Sequence, residues 1–264
     1  MRWNVSQLST LPAIVSGRAR HSGFVLGAQL VDNVAFAISP AEAIAMDPSQ
    51  RLLLERAYAS LHDAALDRAM LSGSLSGVFI AFGGGDFGHI VATSSELQGS
   101  ANVSTGYPIL SGRISYTLSL HGAAATFDSA CSSALIACHA GLRALQHDAF
   151  SASLVAGVEL NLASVSNIVV ALGGITSVNG RSRTFDWRAD GYARGEACGG
   201  FVLRCAMEEA MLTLAGGAVR QDGRSAGLTA PNGLAQKHLI LAAFSDAATS
   251  TDCVARHEAH GTGT

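Results

Sequence analysis

Charged side chains are scarce in this 264-residue chain, since Asp, Glu, Lys and Arg together make up 14% of it. The formal net charge is −3, and the sequence has no block of lysine or arginine. The lack of a basic block argues against a protein that binds nucleic acid or an anionic membrane. Hydrophobic residues make up 48% of the chain, a share that argues against disorder and is typical of a large buried core with a partner surface.

Long hydrophobic runs are also missing, because no stretch of about twenty residues is free of polar interruption. The most apolar stretch, residues 154–175, contains Glu159, Asn161 and Asn167, and it predicts buried strand and loop structure. The five cysteines are an odd number and form no C-x-x-C pair. This usage favours a reducing compartment over a disulfide framework, and we therefore expect a cytoplasmic protein.

Strands and helices are predicted to alternate along the chain. Asp47 has the position of a helix cap before Pro48, and apolar residues at helical spacing extend that helix over 48–66. Short apolar runs at 77–82 and 153–158 predict buried strands. Further elements are predicted towards the end: strands over 198–205 and 214–219, and a helix over 235–248. This alternation indicates the α/β class.

Cys131 lies in a turn of small residues that joins a predicted strand at 125–127 to a helix from Leu135 to about Gln146. The unpaired N–H groups and the dipole of a helix N-terminus favour an anion there, so the position suits a reactive thiolate. We interpret Cys131 as a candidate nucleophile and expect it to be the most reactive of the five thiols. The alternative is a buried, unreactive cysteine, which is the most common fate of this residue type.

A second candidate site lies at residues 258–264, where the sequence is Glu-Ala-His-Gly-Thr-Gly-Thr. It follows a strand-like run at 253–255. This context predicts that His260 is presented on a loop as a base or hydrogen-bond donor. The hydroxyls of Thr262 and Thr264 are available to a polar ligand.

Together, the Asp-Ser-Ala-Cys-Ser-Ser turn and the Glu-Ala-His-Gly-Thr-Gly-Thr loop resemble the β-ketoacyl synthases of the type I polyketide and fatty-acid synthase kind. The resemblance runs from about Arg2 to Thr264. Four further segments of this chain resemble the same family and occur in the order found there: 46–55, 111–116, 183–196 and 227–233.

Arginines near the N-terminus and the lack of acidic residues before Asp32 also suggest an organelle transit peptide. We favour a segment of the synthase fold there, because the residues match it.

The resemblance implies a thiolase-like α-β-α-β-α layering of two similar halves. Residues 1–250 would form the N-terminal half without its first strand, and 251–264 the start of the C-terminal half. The implied activity is that of an acyltransferase, a 3-oxoacyl-acyl-carrier-protein synthase. An acyl group moves to Cys131, and a malonyl-type extender then loses CO₂ and condenses with it. His260 would be the first of two catalytic histidines, and Thr262 and Thr264 would hold the pantetheine arm.

The family's second histidine, in an Asn-x-Gly-His motif, and a lysine before it come after the Gly-Thr-Gly-Thr loop, and this sequence contains neither. We therefore expect a chain that is incomplete at both ends and that does not condense acyl and malonyl units by itself. A non-catalytic fragment or degenerate homologue that only binds acyl carriers or a partner chain is the alternative. A thiolase or chalcone-synthase-like enzyme acting on coenzyme A thioesters also shares the fold, but the Cys-Ser-Ser turn and the Asp47-Pro48 helix start argue against it.

The resemblance also implies the partners. No cofactor would be bound, since the substrates are carried on the phosphopantetheine of an acyl carrier protein. We expect a homodimer in which the strand at 154–158 pairs across the two-fold axis, and further domains of a multidomain synthase are possible partners.

Three other patterns favour less specific interpretations. Residues 83–88 have the spacing G-x-G-x-x-G, but we predict a loop near the substrate entrance instead of a dinucleotide site. His257 and His260 would face opposite sides of a strand, so no shared metal is expected. The charged segment from Asp186 to Glu196 is predicted to have a structural role.

Overall fold

The structure is a computed structural model that describes residues 11–94, 106–147, 150–205, 210–227 and 230–263. It divides into two compact units, one formed by Met1–Leu203 with His260–Thr264 and the other by Arg204–Ala259. Within the described residues, every helix is too short or too polar to span a bilayer.

The first unit contains most of the regular structure. Its helices are α1 (Ala13–Ala19), α2 (Pro40–Ala45), α3 (Pro48–Asp63), α4 (Arg68–Leu71), α5 (Asp86–Thr93), α6 (Tyr107–Leu118), α7 (Ser133–Gln146) and α8 (Ser164–Leu172). Its strands are β1 (Ser22–Gly23), β2 (Ser76–Phe82), β3 (Ala124–Phe127), β4 (Ala152–Glu159), β5 (Arg194–Gly195) and β6 (Ala197–Leu203).

Four strands form the central sheet in the order β3-β2-β4-β6. Strand β2 is parallel to both β3 and β4, and β6 is antiparallel to β4. Strands β1 and β5 form a separate two-stranded parallel pair. The predictions of strands at 77–82, 153–158 and 198–205 are confirmed within one or two residues at their ends.

Alternation along β2 divides the core between the two faces of the sheet. Val78, Ile80 and Phe82 belong to the larger core cluster, in which the buried side chains of α3 and α6 also lie. Phe79 and Ala81 point to the opposite face and pack with Ala137 of α7. The period of two in a strand thus produces an α-β-α arrangement in this unit.

Helix α3 begins as the sequence predicted. The Asp47 carboxylate accepts a hydrogen bond from the Ser49 N–H at 2.7 Å, and Pro48 is the first helical residue. Burial raises the pKa of the Asp47 carboxyl. The helix ends at Asp63, three residues before the predicted limit, because Ala65 takes a left-handed φ of 56° and the Leu66 N–H turns back to the Leu61 carbonyl at 2.9 Å.

The predicted role of residues 154–158 as the self-pairing edge was wrong. Strand β4 is paired on both sides, with β2 and with β6. Its Leu154, Val155 and Val158 side chains are buried within this one chain. Their apolar character therefore reflects an interior strand, and the outer strands of the sheet are β3 and β6.

Four other expectations need correction. Residues 164–172 form helix α8 instead of strand or loop, and α5 begins at Asp86, within the segment predicted as loop. Residues 251–253 form a 3₁₀ turn in place of the strand-like run. The described residues 214–219 carry no regular structure. Period and apolar content alone do not separate a short helix from a strand, which explains the first of these errors.

The second unit contains one long helix, α9 (Gly233–Asp246), close to the predicted 235–248. The Asn232 side chain caps it by accepting hydrogen bonds from the N–H groups of Leu234 at 3.1 Å and Ala235 at 3.2 Å. The Asp246 carboxylate, at the last turn, accepts from the Gly217 N–H at 2.9 Å.

The central position of Ile80 leads to a stability prediction. Ile80→Ala should lower the free energy of unfolding by about 2–5 kcal/mol, because it leaves a cavity in the middle of the sheet. Ile44→Ala is the matched control, since Ile44 is 71% exposed and Ile80 is fully buried. The control should change stability by less than about 0.5 kcal/mol. Urea unfolding followed by circular dichroism measures both, and equal effects of the two substitutions would contradict this account of the core.

Candidate active site

Three parallel strands end at the same edge of the sheet, and an acidic residue lies at the end of each strand or shortly after it. Strand β3 ends at Phe127 and is followed by Asp128, β4 ends with Glu159, and β2 is followed by three glycines and Asp86. In open α/β sheets, ligands bind beyond the carboxyl ends of the strands. This edge is therefore the first place to look for a functional site.

Cys131 lies at this edge, in the turn between β3 and α7. Ser132 is the N-cap residue of α7, so Cys131 is just outside the helix. The strand, the turn and the helix occur where the sequence predicted them, with the helix starting two residues earlier than expected. The thiol is exposed, which excludes the alternative of a buried cysteine.

The turn before Cys131 has an unusual backbone conformation. Ala130 has a φ of 56°, a left-handed conformation that costs a non-glycine residue about 1–2 kcal/mol. Buried Ser133 stabilises this shape, because its hydroxyl accepts from the Ser129 N–H at 2.8 Å and donates to the Ala130 carbonyl at 2.7 Å. The Asp128 carboxylate accepts from the Ala130 N–H at 3.1 Å. Local hydrogen bonds thus present Cys131 outward from a constrained turn.

Tyr107 contacts the same turn, although the sequence analysis did not identify it. Its hydroxyl donates to the Asp128 carboxylate at 3.3 Å. Its ring packs edge-on against Phe82, with ring centroids 5.2 Å apart. Burial raises the pKa of Tyr107, and the nearby charges of Asp128 and Glu159 raise it further. Nothing in the local sequence indicates this contact, which joins residues 21 positions apart.

The other two carboxylates of the edge hold loops in place. Asp86 accepts hydrogen bonds from the N–H groups of Leu162 and Ala163, both at 3.0 Å, and from the Ser166 hydroxyl. Glu159 pairs with Arg194 at 3.2 Å. Burial raises the pKa of the Glu159 carboxyl against the opposing effect of Arg194.

The Glu159 carboxylate also faces the glycines after β2. A Cβ atom added at Gly83 or Gly84 would lie 3.5 Å from Glu159 Oε2. A carboxylate in this place disfavours the pyrophosphate of a dinucleotide, although helix α5 does follow the glycines.

His260 lies in the same compact unit as Cys131, on an exposed loop. No hydrogen bond joins these two side chains in the described part of the chain. The loop after His260 is held by residues in and just before the charged segment. The Thr184 hydroxyl donates to the Gly261 carbonyl at 2.5 Å, and the Gly191 N–H donates to the Gly263 carbonyl at 3.1 Å. Thr262 is partly buried between them.

Thr264, the second predicted threonine, lies outside the described residues.

The charged segment itself is fastened by internal pairs, which agrees with its predicted structural role. Asp186 and Arg188 form an ion pair at 2.6 Å, and hydrogen bonds from Arg188 lower the pKa of Asp186 to about 2. The Glu196 carboxylate accepts from the N–H groups of Val25 at 2.7 Å and Asn161 at 3.0 Å. The segment therefore ties the histidine loop to the body of the first unit.

The described residues offer no arrangement of three or more His, Cys, Asp or Glu side chains that could hold a metal ion. His257 and His260 are both exposed on irregular chain instead of the predicted strand.

The remaining cysteines differ in their surroundings. Burial raises the pKa of the Cys138 thiol, and it raises the pKa of Cys198 to about 11. Cys205 is exposed. Cys253 is exposed as well, and hydrogen bonds from Ser250 and Thr249 lower its pKa. No motif around Cys253 indicates this second accessible thiol, whose lowered pKa favours the thiolate.

This mixed α/β sheet, with Cys131 on the turn between β3 and α7, has the thiolase-like fold of the condensing enzymes. Solved ketosynthases have the same fold. The ketosynthase from module 6 of the bacillaene synthase of Bacillus subtilis 168 superposes with a TM-score of 0.87 at 28% identity, over 100% of this chain and 45% of that one. The oxazolomycin ketosynthase domain OzmH KS7 of Streptomyces albus gives 0.89 at 28% identity, over 100% and 48%.

The chain belongs to the β-ketoacyl synthase family. Residues 1–209 match the model of the β-ketoacyl synthase N-terminal domain, and residues 211–264 match that of the C-terminal domain. A phenolphthiocerol/phthiocerol polyketide synthase of Mycobacterium tuberculosis is 37% identical over 100% of this chain and 15% of its own length. Pikromycin polyketide synthase component PikAII of Streptomyces venezuelae is 37% identical over 99% of this chain and 7% of its own length. The chain thus spans a small part of these synthases and under half of each solved ketosynthase.

The five thiols should separate into two groups. At pH 8, iodoacetamide should label Cys131, Cys205 and Cys253 well before Cys138 and Cys198. The thiolate is the reacting species, and a thiol with a pKa near 11 holds only about one part in a thousand of it at pH 8. Because alkylation rises with pH up to the pKa of each thiol, Cys253 should stay reactive at lower pH than an unperturbed cysteine.

Peptide mapping by mass spectrometry over a pH series measures the order. Early labelling of Cys138 or Cys198 in a folded sample would contradict the assignment.

Proposed function

We propose that this chain is part of the ketosynthase of a polyketide synthase, in which Cys131 accepts the acyl group that is to be extended. The observation that carries the proposal is the exposed Cys131 thiol on a constrained turn between β3 and α7. The relatives described above are polyketide synthases, which favours that pathway over fatty-acid synthesis.

The first step is a thioester exchange. The Cys131 thiolate attacks the acyl carbonyl of the thioester on a phosphopantetheine arm. A carbon–sulfur bond to Cys131 forms, the carbon–sulfur bond to the carrier breaks, and the carrier thiolate that leaves takes up the proton that Cys131 lost. The backbone N–H of Cys131 would stabilise the oxyanion that develops on the carbonyl. No cofactor is required, because the acyl group arrives already activated as a thioester.

The second step is a decarboxylative condensation. A malonyl-type extender on a carrier loses CO₂, and the resulting carbanion attacks the acyl-cysteine, which releases the Cys131 thiolate. His260 stabilises the enolate oxygen of the extender, and Thr262 and Thr264 bind the pantetheine arm. Support for these roles comes from the exposed His260 on its glycine loop and from the hydrogen bonds that Thr184 and Gly191 make to that loop.

The partners that follow from this function are an acyl carrier protein and the other domains of a multidomain synthase. The cytoplasm is the compartment that we propose, since the chemistry needs a free thiol. We also propose that the chain comprises the N-terminal half of a synthase domain and the start of the C-terminal half. In support, the match to the N-terminal domain model ends at residue 209, and the match to the C-terminal domain model begins at residue 211.

Acylation of Cys131 tests the function directly. The purified chain, incubated with propionyl-pantetheine, should gain the mass of one propionyl group on the peptide that contains Cys131. Cys131→Ala should abolish that adduct, because no other thiol lies on such a turn in the described part of the chain. Cys253→Ala is the matched control, since Cys253 is also exposed and its pKa is lowered. Peptide mapping by mass spectrometry after a short incubation measures both.

His260→Ala separates the two steps. The substitution should leave the propionyl adduct on Cys131 in place, because His260 acts on the extender. A chain that forms a stable complex with a carrier but is never acylated would refute the transfer function and favour the binding-only alternative.

Self-association is proposed through β3. In complete β-ketoacyl synthases, a strand near the nucleophile pairs with its copy in the other subunit across the two-fold axis. Strand β3 leads directly into the Cys131 turn and is an outer strand of the sheet, paired in the described structure with β2 alone. An outer strand offers unpaired N–H and C=O groups to a second copy.

A charge on this strand should weaken the dimer. Ala124→Glu places two like charges close to the two-fold axis, so the dissociation constant should rise by about tenfold or more. Ala197→Glu is the matched control, since Ala197 is an exposed alanine on β6, the other outer strand. Sedimentation velocity over a concentration series distinguishes them. A parent chain that stays monomeric throughout would overturn the dimer.

A further inference from the structure

Tyr107 is connected to the nucleophile turn by two consecutive hydrogen bonds. Its hydroxyl donates to Asp128 Oδ2 at 3.3 Å, and the other oxygen of the same carboxylate accepts from the Ala130 N–H at 3.1 Å. Ala130 directly precedes Cys131. A single carboxylate thus connects the start of helix α6 with the backbone that carries the thiol.

We propose that Tyr107 is a positioning residue for acyl transfer, whose hydroxyl orients the Asp128 carboxylate and thereby holds the turn that presents Cys131. This inference rests on the proposed function of Cys131 as the acyl acceptor.

Tyr107 is 40% exposed, but its backbone and its ring are both attached to the body of the first unit. It is the first residue of α6, and Leu110 and Ile114 of the same helix are buried in the larger core cluster. Its ring also packs against Phe82 at the end of β2, with the ring planes 67° apart. The hydroxyl is therefore held from two elements that do not belong to the turn.

The turn needs such support. Asp128, Ala130 and Cys131 are all exposed, and the left-handed φ of Ala130 is unfavourable without hydrogen bonds that stabilise it. An exposed carboxylate that accepts only the Ala130 N–H is free to rotate towards solvent. A second bond, to a fixed hydroxyl, restricts that rotation.

The charges around Asp128 add to this requirement. The carboxylates of Glu159 and Asp86 lie at the same edge, and Asp128 and Asp86 both act on Glu159 electrostatically. Arg194 forms its ion pair with the carboxylate of Glu159. In the described part of the chain, Tyr107 is the one side chain that donates a hydrogen bond to Asp128.

Single-turnover acylation of Cys131 by propionyl-pantetheine tests the inference. Tyr107→Phe should lower the maximal acylation rate by about threefold to tenfold, the kinetic equivalent of one lost hydrogen bond. The half-saturating concentration of propionyl-pantetheine should stay unchanged. Tyr116→Phe is the matched control, because Tyr116 lies on the same helix, is 86% exposed and should leave both constants as in the parent.

A double-mutant cycle with Asp128→Ala, which removes both hydrogen bonds of the carboxylate, shows whether Tyr107 acts through Asp128. Tyr107→Phe should slow the Asp128→Ala chain much less than it slows the parent, since the shared path is already broken. Additive losses would overturn the inference, as would a change confined to the half-saturating concentration, which would assign Tyr107 to substrate binding. Thermal unfolding midpoints verify that the Tyr107→Phe chain is folded.

Failure of this inference differs visibly from failure of the proposed function. If the parent chain is not acylated on Cys131, the proposed function fails. If the parent is acylated and Tyr107→Phe behaves as Tyr116→Phe does, the proposed function stands and the positioning role is refuted.

Discussion

The parallel pairing of β2 with β3 on one side and β4 on the other is the constraint on which the site depends. Ala81 pairs with both Phe127 and Gly157, so the three strands reach the same edge together. Whatever follows each strand is therefore brought into one neighbourhood. The Cys131 turn, the Asp86 helix and Glu159 share this edge because the register is parallel, although Asp86 and Glu159 are 73 positions apart along the chain.

The edge combines a constrained backbone with several acidic groups. Ala130 holds a left-handed conformation that its neighbours Ser133 and Asp128 stabilise. Asp86 is satisfied by two backbone N–H groups, and Glu159 by Arg194. Each carboxylate thus has a separate set of donors, which lets the three of them lie near one another.

The histidine loop depends on a different part of the first unit. Residues 183–191 hold the backbone of Gly261 and Gly263, and a Cβ at Gly191 would lie 2.5 Å from the Thr176 carbonyl carbon, so only glycine fits there. The charged segment, for which the sequence predicted a structural role, thereby helps to support a candidate catalytic loop. Its ion pairs and caps matter through the position they give to that loop.

The amino-acid sequence by itself determined the local features of this protein. The Asp47 cap, the strands around Phe79 and Val155 and the strand–turn–helix at Cys131 all follow from propensities and periods that act over a few residues. The family resemblance also rests on such short motifs. Only the tertiary structure decided which strands are interior, since the apolar β4 looks the same whether a neighbour or a second copy covers it. It alone brought Tyr107 to Asp128, because contacts between distant segments depend on how helices pack on the sheet, and no local pattern encodes that packing.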